Sequence, residues 1–131
     1  MRTPIALSLT WPARMSAPTK RIDLVELGQL SFERPDEERF RALGLARQAL
    51  KRGGLAPAVL NAANEIAVQA FLDGRLGFLQ IAQLVAETLE LADGRGLMGE
   101  AADLAAVLAT DAAARRLALN LLGKPGLAGA H

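Results

Sequence analysis

Apolar and polar positions follow two different rhythms along this chain. From about residue 42 onward the apolar positions recur at helical spacing. Leu43, Ala46 and Leu50 mark one face of a first helix, which Gly53-Gly54 ends. Pro57 opens a second helix that runs to about Asp73, ahead of Gly74. Ile81, Leu84, Val85, Thr88 and Leu89 form an i, i+3, i+4, i+7, i+8 series, the mark of an amphipathic helix. The stretch "DGRGLMG" reads as a loop. Leu104, Val107 and Leu108 predict a short helix, and Thr110 is suited to cap a last one carrying Ala114, Leu117, Ala118 and Leu121. Four or five amphipathic helices with short connections predict a small antiparallel bundle over residues 42–122. "GKPGLAGAH", residues 123–131, is expected to be a disordered tail.

The first forty residues do not share that rhythm. "MRTPIALSLTWPARM" predicts a short helix, with Thr3 as cap, Pro4 at the first helical position, and Ile5 and Leu9 on one face before Pro12 closes it. A helix this short is not stable alone. In "RIDLVELGQLSF", Ile22, Leu24, Leu30 and Phe32 fall on one parity, with Val25 and Leu27 on the other. That predicts an imperfect β-strand with a bulge near Gly28. A lone strand cannot satisfy its own backbone groups, and nothing else in the chain reads as a partner strand. "ERPDEERFR", residues 33–41, reads as a charged linker. The fold class expected is therefore mainly α: a small helical bundle preceded by a short helix and one orphan strand.

Composition sharpens this in a few places. Hydrophobic residues make up 51% of the 131 and aromatic ones only 4%, which favours helices over sheets. The formal net charge is +1, so nothing in it argues for nucleic acid or an anionic membrane surface as partner. There is no cysteine, which excludes disulfides, thiolate metal sites and a cysteine nucleophile. That absence fits the reducing cytoplasm, where the protein is expected to reside. No apolar run approaches the ~20 residues of a membrane-spanning helix, and the N-terminus lacks the pattern of a signal peptide.

One polar constellation interrupts the most apolar helix. In "LNAANEIAV", residues 60–68, Asn61 and Glu65 lie one turn apart, with Asn64 beside them. Val68 and Leu72 continue that face, and Val59, Ala63, Ile66 and Ala70 occupy the opposite one. A helix apolar nearly all round is buried on most sides. The three polar residues are therefore expected to face protein, as a structural polar network in which Asn61 and Glu65 bridge at i, i+4. Two asparagines and one glutamate include no nucleophile with its base and no set of metal ligands, so catalysis is the weaker reading.

Other candidates resolve to bland readings. Asp36, Glu37 and Glu38 are consecutive and do not share a helix face. Ser8, Ser16 and Ser31 have no histidine to activate them, since the single histidine is the terminal His131. Gly53-Gly54 follows a helix and reads as its stop rather than as a phosphate loop. Trp11 fits a packing or interface anchor better than a ligand-stacking role. No catalytic, cofactor-binding or metal-ligating residue is assigned.

Three blocks carry a resemblance: "MRTPIALSLTWPARM", "IDLVELGQLSFERPD" and "APAVLNAANEIAVQAFLDGRLGF". Together they resemble the C-terminal third of 1-deoxy-D-xylulose 5-phosphate reductoisomerase, collinearly from residue 1 to about 122. That family converts 1-deoxy-D-xylulose 5-phosphate into 2-C-methyl-D-erythritol 4-phosphate in non-mevalonate isoprenoid synthesis. It uses NADPH and a divalent cation, Mg or Mn, and works as a homodimer. The resemblance implies that residues 1–32 are a remnant of the central catalytic domain, 33–41 a linker and 42–122 the C-terminal helical bundle. It also implies that Met1 matches a methionine near the substrate and nicotinamide pocket. Family members carry on the order of two further domains ahead of this position, and those hold the cofactor, metal and substrate contacts. Arg41 stands where the family commonly has proline.

The chain is thus expected to scaffold the catalytic portion of such an enzyme, to bind no cofactor alone and to be inactive alone. Its implied partner is the N-terminal and catalytic portion, joined in cis or supplied in trans as a complementing subunit. A stand-alone helical interaction module is the contrasting expectation.

Overall fold

The computed structural model describes residues 1–123, so the tail expected over 123–131 lies, apart from Gly123, outside the described residues. The chain divides into two compact units, Met1–Arg34 and a second that begins at Pro35. All regular structure among the described residues is helical.

The first unit holds α1 (Arg2–Thr10) and α2 (Leu24–Leu27). Helix α1 begins two residues earlier than expected: Met1 is its N-cap and Thr3 lies inside it. Short polar side chains fold back on their own helix, with the Ser8 hydroxyl donating to Pro4 O at 2.9 Å and that of Thr10 to Ala6 O at 2.9 Å. Arg2 Nη1 reaches across to Pro18 O at 3.0 Å.

The strand expected over residues 21–32 does not form. Asp23 Oδ1 instead accepts from the backbone of Val25 at 2.9 Å and Glu26 at 3.1 Å, capping one helical turn. Leu27 N and Gly28 N donate to Asp23 O and Leu24 O, and Gly28 at φ +68° ends the turn. The physical reason is local supply. With no strand alongside, the backbone takes the nearest acceptors, and the Asp23 carboxylate wins over a ladder that has no second rung. No residue of this unit is buried, and Val25 and Phe32 are 92% and 87% exposed.

The second unit is the bundle: α3 (Arg41–Arg52), α4 (Ala56–Leu72), α5 (Phe78–Gly94) and α6 (Leu104–Leu122). Residues 36–40 form a turn that Asp36 Oδ1 stabilises by accepting from Glu38 N and Arg39 N, and Glu37 pairs with Arg47. Helix α4 is central and packs against α3, α5 and α6. Its buried positions are Val59 and five alanines, Ala56, Ala62, Ala63, Ala67 and Ala70. Small side chains let neighbouring backbones approach, and larger residues from α5 and α6 fill the space, among them Leu84, Val85, Leu117 and Leu121.

Two features of the bundle differ from the sequence pattern. In α3 the inward stripe is Leu45 and Ala49, while Leu43, Ala46 and Leu50 face outward. The two stripes lie on opposite sides of one helix, and both are apolar, so only packing decides between them. The two helices expected between residues 104 and 122 are one. Asp103 caps α6, its Oδ1 accepting from Ala106 N at 2.8 Å, and Thr110 is buried mid-helix rather than capping. No glycine or proline lies between Leu104 and Leu122 to stop the helix.

Connections are tight. Leu55 N donates to Gly99 O at 2.9 Å, which holds the loop after α5 against the start of α4. Phe71 and Phe78 meet edge to face at 5.9 Å across the α4–α5 turn. Thr88 Oγ1, fully buried, donates to Leu84 O at 2.7 Å. Among the described residues no buried side-chain nitrogen or oxygen lacks a partner.

Candidate functional site

The sequence directs attention to α4, and the structure gives its polar residues a setting. Asn61, Asn64 and Glu65 lie on the outward side of the helix, away from the alanine stripe, and the bundle leaves all three exposed. Asn61 Nδ2 donates to Glu65 Oε1 at 3.0 Å, the i, i+4 bridge that the spacing allows. The other Glu65 oxygen accepts from Arg115 Nη2 of α6 at 2.8 Å. Arg115 also donates from Nε to Asp111 Oδ2 at 2.7 Å and from Nη2 to Asp111 Oδ1 at 3.2 Å. One guanidinium therefore serves two carboxylates and ties α4 to α6.

The electrostatics follow from that geometry. Hydrogen bonding and charge from Arg115, with a further bond from Asn61, hold the Glu65 carboxyl below its ordinary range. Hydrogen bonds to Asp111 and Glu65 push the Arg115 guanidinium up. Glu65 is thus kept ionised with both oxygens engaged. A general acid or base at neutral pH needs the opposite, a carboxyl raised toward 7 with a free oxygen. The arrangement is an electrostatic tie, not a proton-transfer site.

Arg115 and Asp111 were not singled out by the sequence pattern. Their i, i+4 spacing on α6 is a readable sign of mutual pairing. The link to Glu65, fifty positions away, has no sequence signal. Met1, by contrast, stands exposed at the start of α1, where its carbonyl accepts from Ile5 N at 3.2 Å. Elsewhere in the bundle Arg52 and Asp93 pair beside Met98 and Leu89.

The model for the DXP reductoisomerase C-terminal domain matches residues 1–117. The chain belongs to this family. A 1-deoxy-D-xylulose 5-phosphate reductoisomerase from Pseudomonas syringae pv. tomato is 54% identical over 118 residues, covering 90% of this chain and 29% of the relative. The solved reductoisomerase from Zymomonas mobilis, in complex with NADPH, superposes with a TM-score of 0.77 at 47% identity over 93% of this chain and 31% of its own. A DOX-P reductoisomerase in complex with magnesium gives the same TM-score at 35% identity over 92% of this chain. The chain therefore spans about 30% of the length of the reductoisomerases it matches, as their C-terminal portion.

Among the described residues no group of three or more His, Cys, Asp or Glu is arranged to hold a metal ion. Among the described residues no strand precedes a helix in the way a dinucleotide-binding turn requires. Among the described residues, no helix is long and apolar enough to cross a membrane.

Proposed function

We propose that this chain is the bracing part of a 1-deoxy-D-xylulose 5-phosphate reductoisomerase and carries none of its chemistry. The whole enzyme would convert 1-deoxy-D-xylulose 5-phosphate into 2-C-methyl-D-erythritol 4-phosphate with NADPH and Mg or Mn, for isoprenoid synthesis in the cytoplasm. Residues 1–32 would complete the central catalytic domain, with Met1 near the substrate and nicotinamide pocket. Residues 33–41 would link it to the bundle, and 42–122 would hold it in place. The assembled enzyme would be a homodimer.

The observation that carries this reading is the first unit. It buries no residue of its own and exposes Ile22, Leu24, Val25, Leu30 and Phe32 together. A segment with that many unburied apolar side chains is stable only against other protein. In the relatives, the matching segment belongs to a chain about three times as long.

The test is direct. Purified chain supplied with NADPH, Mn and 1-deoxy-D-xylulose 5-phosphate is expected to oxidise no NADPH above a protein-free blank; turnover would refute the proposal. The same exposed residues support a second reading, in which a separately supplied N-terminal portion binds residues 1–32 in trans. Mixing the chain with such a portion and recovering NADPH oxidation would distinguish this complementing subunit from a stand-alone interaction module.

A further inference from the structure

The net charge of +1 conceals an uneven distribution along the chain. The first 21 residues hold four cations, Arg2, Arg14, Lys20 and Arg21, and all fourteen carboxylates lie beyond Arg21. Like charges gathered in this way repel one another unless an anion sits among them. The first unit also folds so as to bring two of the four to one place. Arg2 Nη1 donates to Pro18 O at 3.0 Å, and Thr10 Oγ1 also contacts Ala13 O at 3.1 Å, which lays the segment after α1 back along that helix. Between helix and returning segment lies a pocket of about 160 Å³, with Thr3, Thr10, Arg14, Ser16, Thr19 and Arg21 in its lining.

The groups around this pocket are donors without acceptors. Among the described residues Arg14 and Arg21 have no carboxylate or carbonyl partner, and the hydroxyls of Thr3, Ser16 and Thr19 have no partner in the protein. Asp23, the carboxylate nearest in sequence, is engaged in capping α2. Unpaired cations such as Lys51 and Arg116 stand on the bundle as well, but Arg14 and Arg21 differ in sharing a pocket with hydroxyl donors. Guanidinium forks beside hydroxyls form a donor set matched to phosphoryl oxygens. The volume lies below the ~300 Å³ at which pockets begin to take drug-sized ligands, so it suits a phosphoryl group with little attached.

We propose that this pocket is an oxyanion site that takes a phosphoryl group, free or carried on a small organic molecule, through Arg14, Arg21 and the neighbouring hydroxyls. It stands on residues of the first unit alone and does not rest on the proposed function. That unit has no buried residue, so the ligand also orders the segment that holds it, and binding is weak.

Trp11, the single tryptophan, lies three positions before Arg14 and is 74% exposed, which makes it a native reporter. The chain is titrated near neutral pH with sodium phosphate, and in parallel with sodium chloride at matched ionic strength. Trp11 fluorescence and the NMR amide signals of Ser16, Thr19 and Arg21 are followed. A saturable change is expected in phosphate and none in chloride. Arg14→Gln and Arg21→Gln should each weaken binding by about tenfold or more, whereas Lys51→Gln on α3 should leave it unaltered. Both arginines are exposed, so neither substitution threatens the bundle. Glycerol 3-phosphate is the second probe. Affinity equal to or below that of inorganic phosphate assigns the site to free phosphate, and higher affinity assigns it to an organic phosphate. Phosphate and chloride acting alike, or a phosphate response that survives both arginine substitutions, would mean general screening of charge and would overturn the inference. A silent titration of the unsubstituted chain would overturn it as well.

Discussion

At Gly54, φ is +53° and an added Cβ would lie 2.5 Å from Gly99 O. Backbone conformation and space both demand glycine there, because the loop after α5 is pressed onto the start of α4. Gly54→Ala is therefore expected to lower stability by more than about 1 kcal/mol, read as a fall in the urea midpoint. Gly44 is the opposite case. It sits inside α3 with ordinary helical φ, and a Cβ there would meet only Glu37 Oε2 at 3.7 Å. Gly44→Ala should raise stability by roughly 0.5–1 kcal/mol in the same measurement. Glu65 supplies the pH dependence. Its folded carboxyl titrates below its ordinary value, so its contribution is complete above the ordinary glutamate range and is lost as pH falls through the lowered folded value. Glu65→Gln should thus lower the urea midpoint slightly at about pH 7, and the gap to the unsubstituted chain should close as pH falls below the ordinary glutamate range. A gap that widens in acid would contradict the assignment. The pair is exposed, so the effect is small.

Helix α6 shows how far an element can be read before packing is known. Its buried positions, Ala114, Leu117, Ala118 and Leu121, are those that the spacing gives. Its start is not, because Thr110 and Asp103 are both acceptable caps and only the continuous helix selects Asp103. Asp103→Ala should cost ~1 kcal/mol and loosen the first turn, seen as faster amide exchange at Ala106 and Val107. Thr110→Ser, which removes a methyl from a buried site without touching a cap, should leave those amides protected. The same logic explains α3 and the missing strand. Leu43, Ala46 and Leu50 make a good stripe, but Leu45 and Ala49 make another, and contact with α4 and α5 decides. Alternating apolar residues from Ile22 to Phe32 fit a strand only where a sheet is present to receive them, and the local alternative is a turn capped by Asp23. Where one face is much more apolar than the rest, as along Ile81–Leu89, the pattern suffices. Of the candidate site, Asn61 and Glu65 are visible as an i, i+4 pair, whereas Arg115 is brought to them by the fold alone.

Taken whole, the molecule has one unit with a core and one without. Ala56, Val59, Ala62, Ala63, Ala67 and Ala70 of α4 are buried with Leu84 and Thr88 of α5. No residue between Met1 and Arg34 is buried at all. Cooperative stability comes from apolar area removed from water, so the two units must differ in how their amides open. In the isolated chain the amides of α4 and α5 should exchange only through global unfolding. Their opening free energy should then match that from urea. Those of α1, α2 and the segments between them should exchange near the rates of an unfolded peptide, since one isolated helix of nine residues is not self-sustaining. The comparison with a chimera, in which this chain replaces the matching part of the Pseudomonas syringae relative, then carries the meaning. If residues 1–34 belong within a larger catalytic domain, their amides should gain protection by orders of magnitude once the rest of a reductoisomerase is supplied. The α4 interior, already at its global limit, should change only as overall stability changes. Strong protection of residues 1–34 in the isolated chain would mean that this unit finds cover without the rest of a reductoisomerase, and the bracing role would lose its main support.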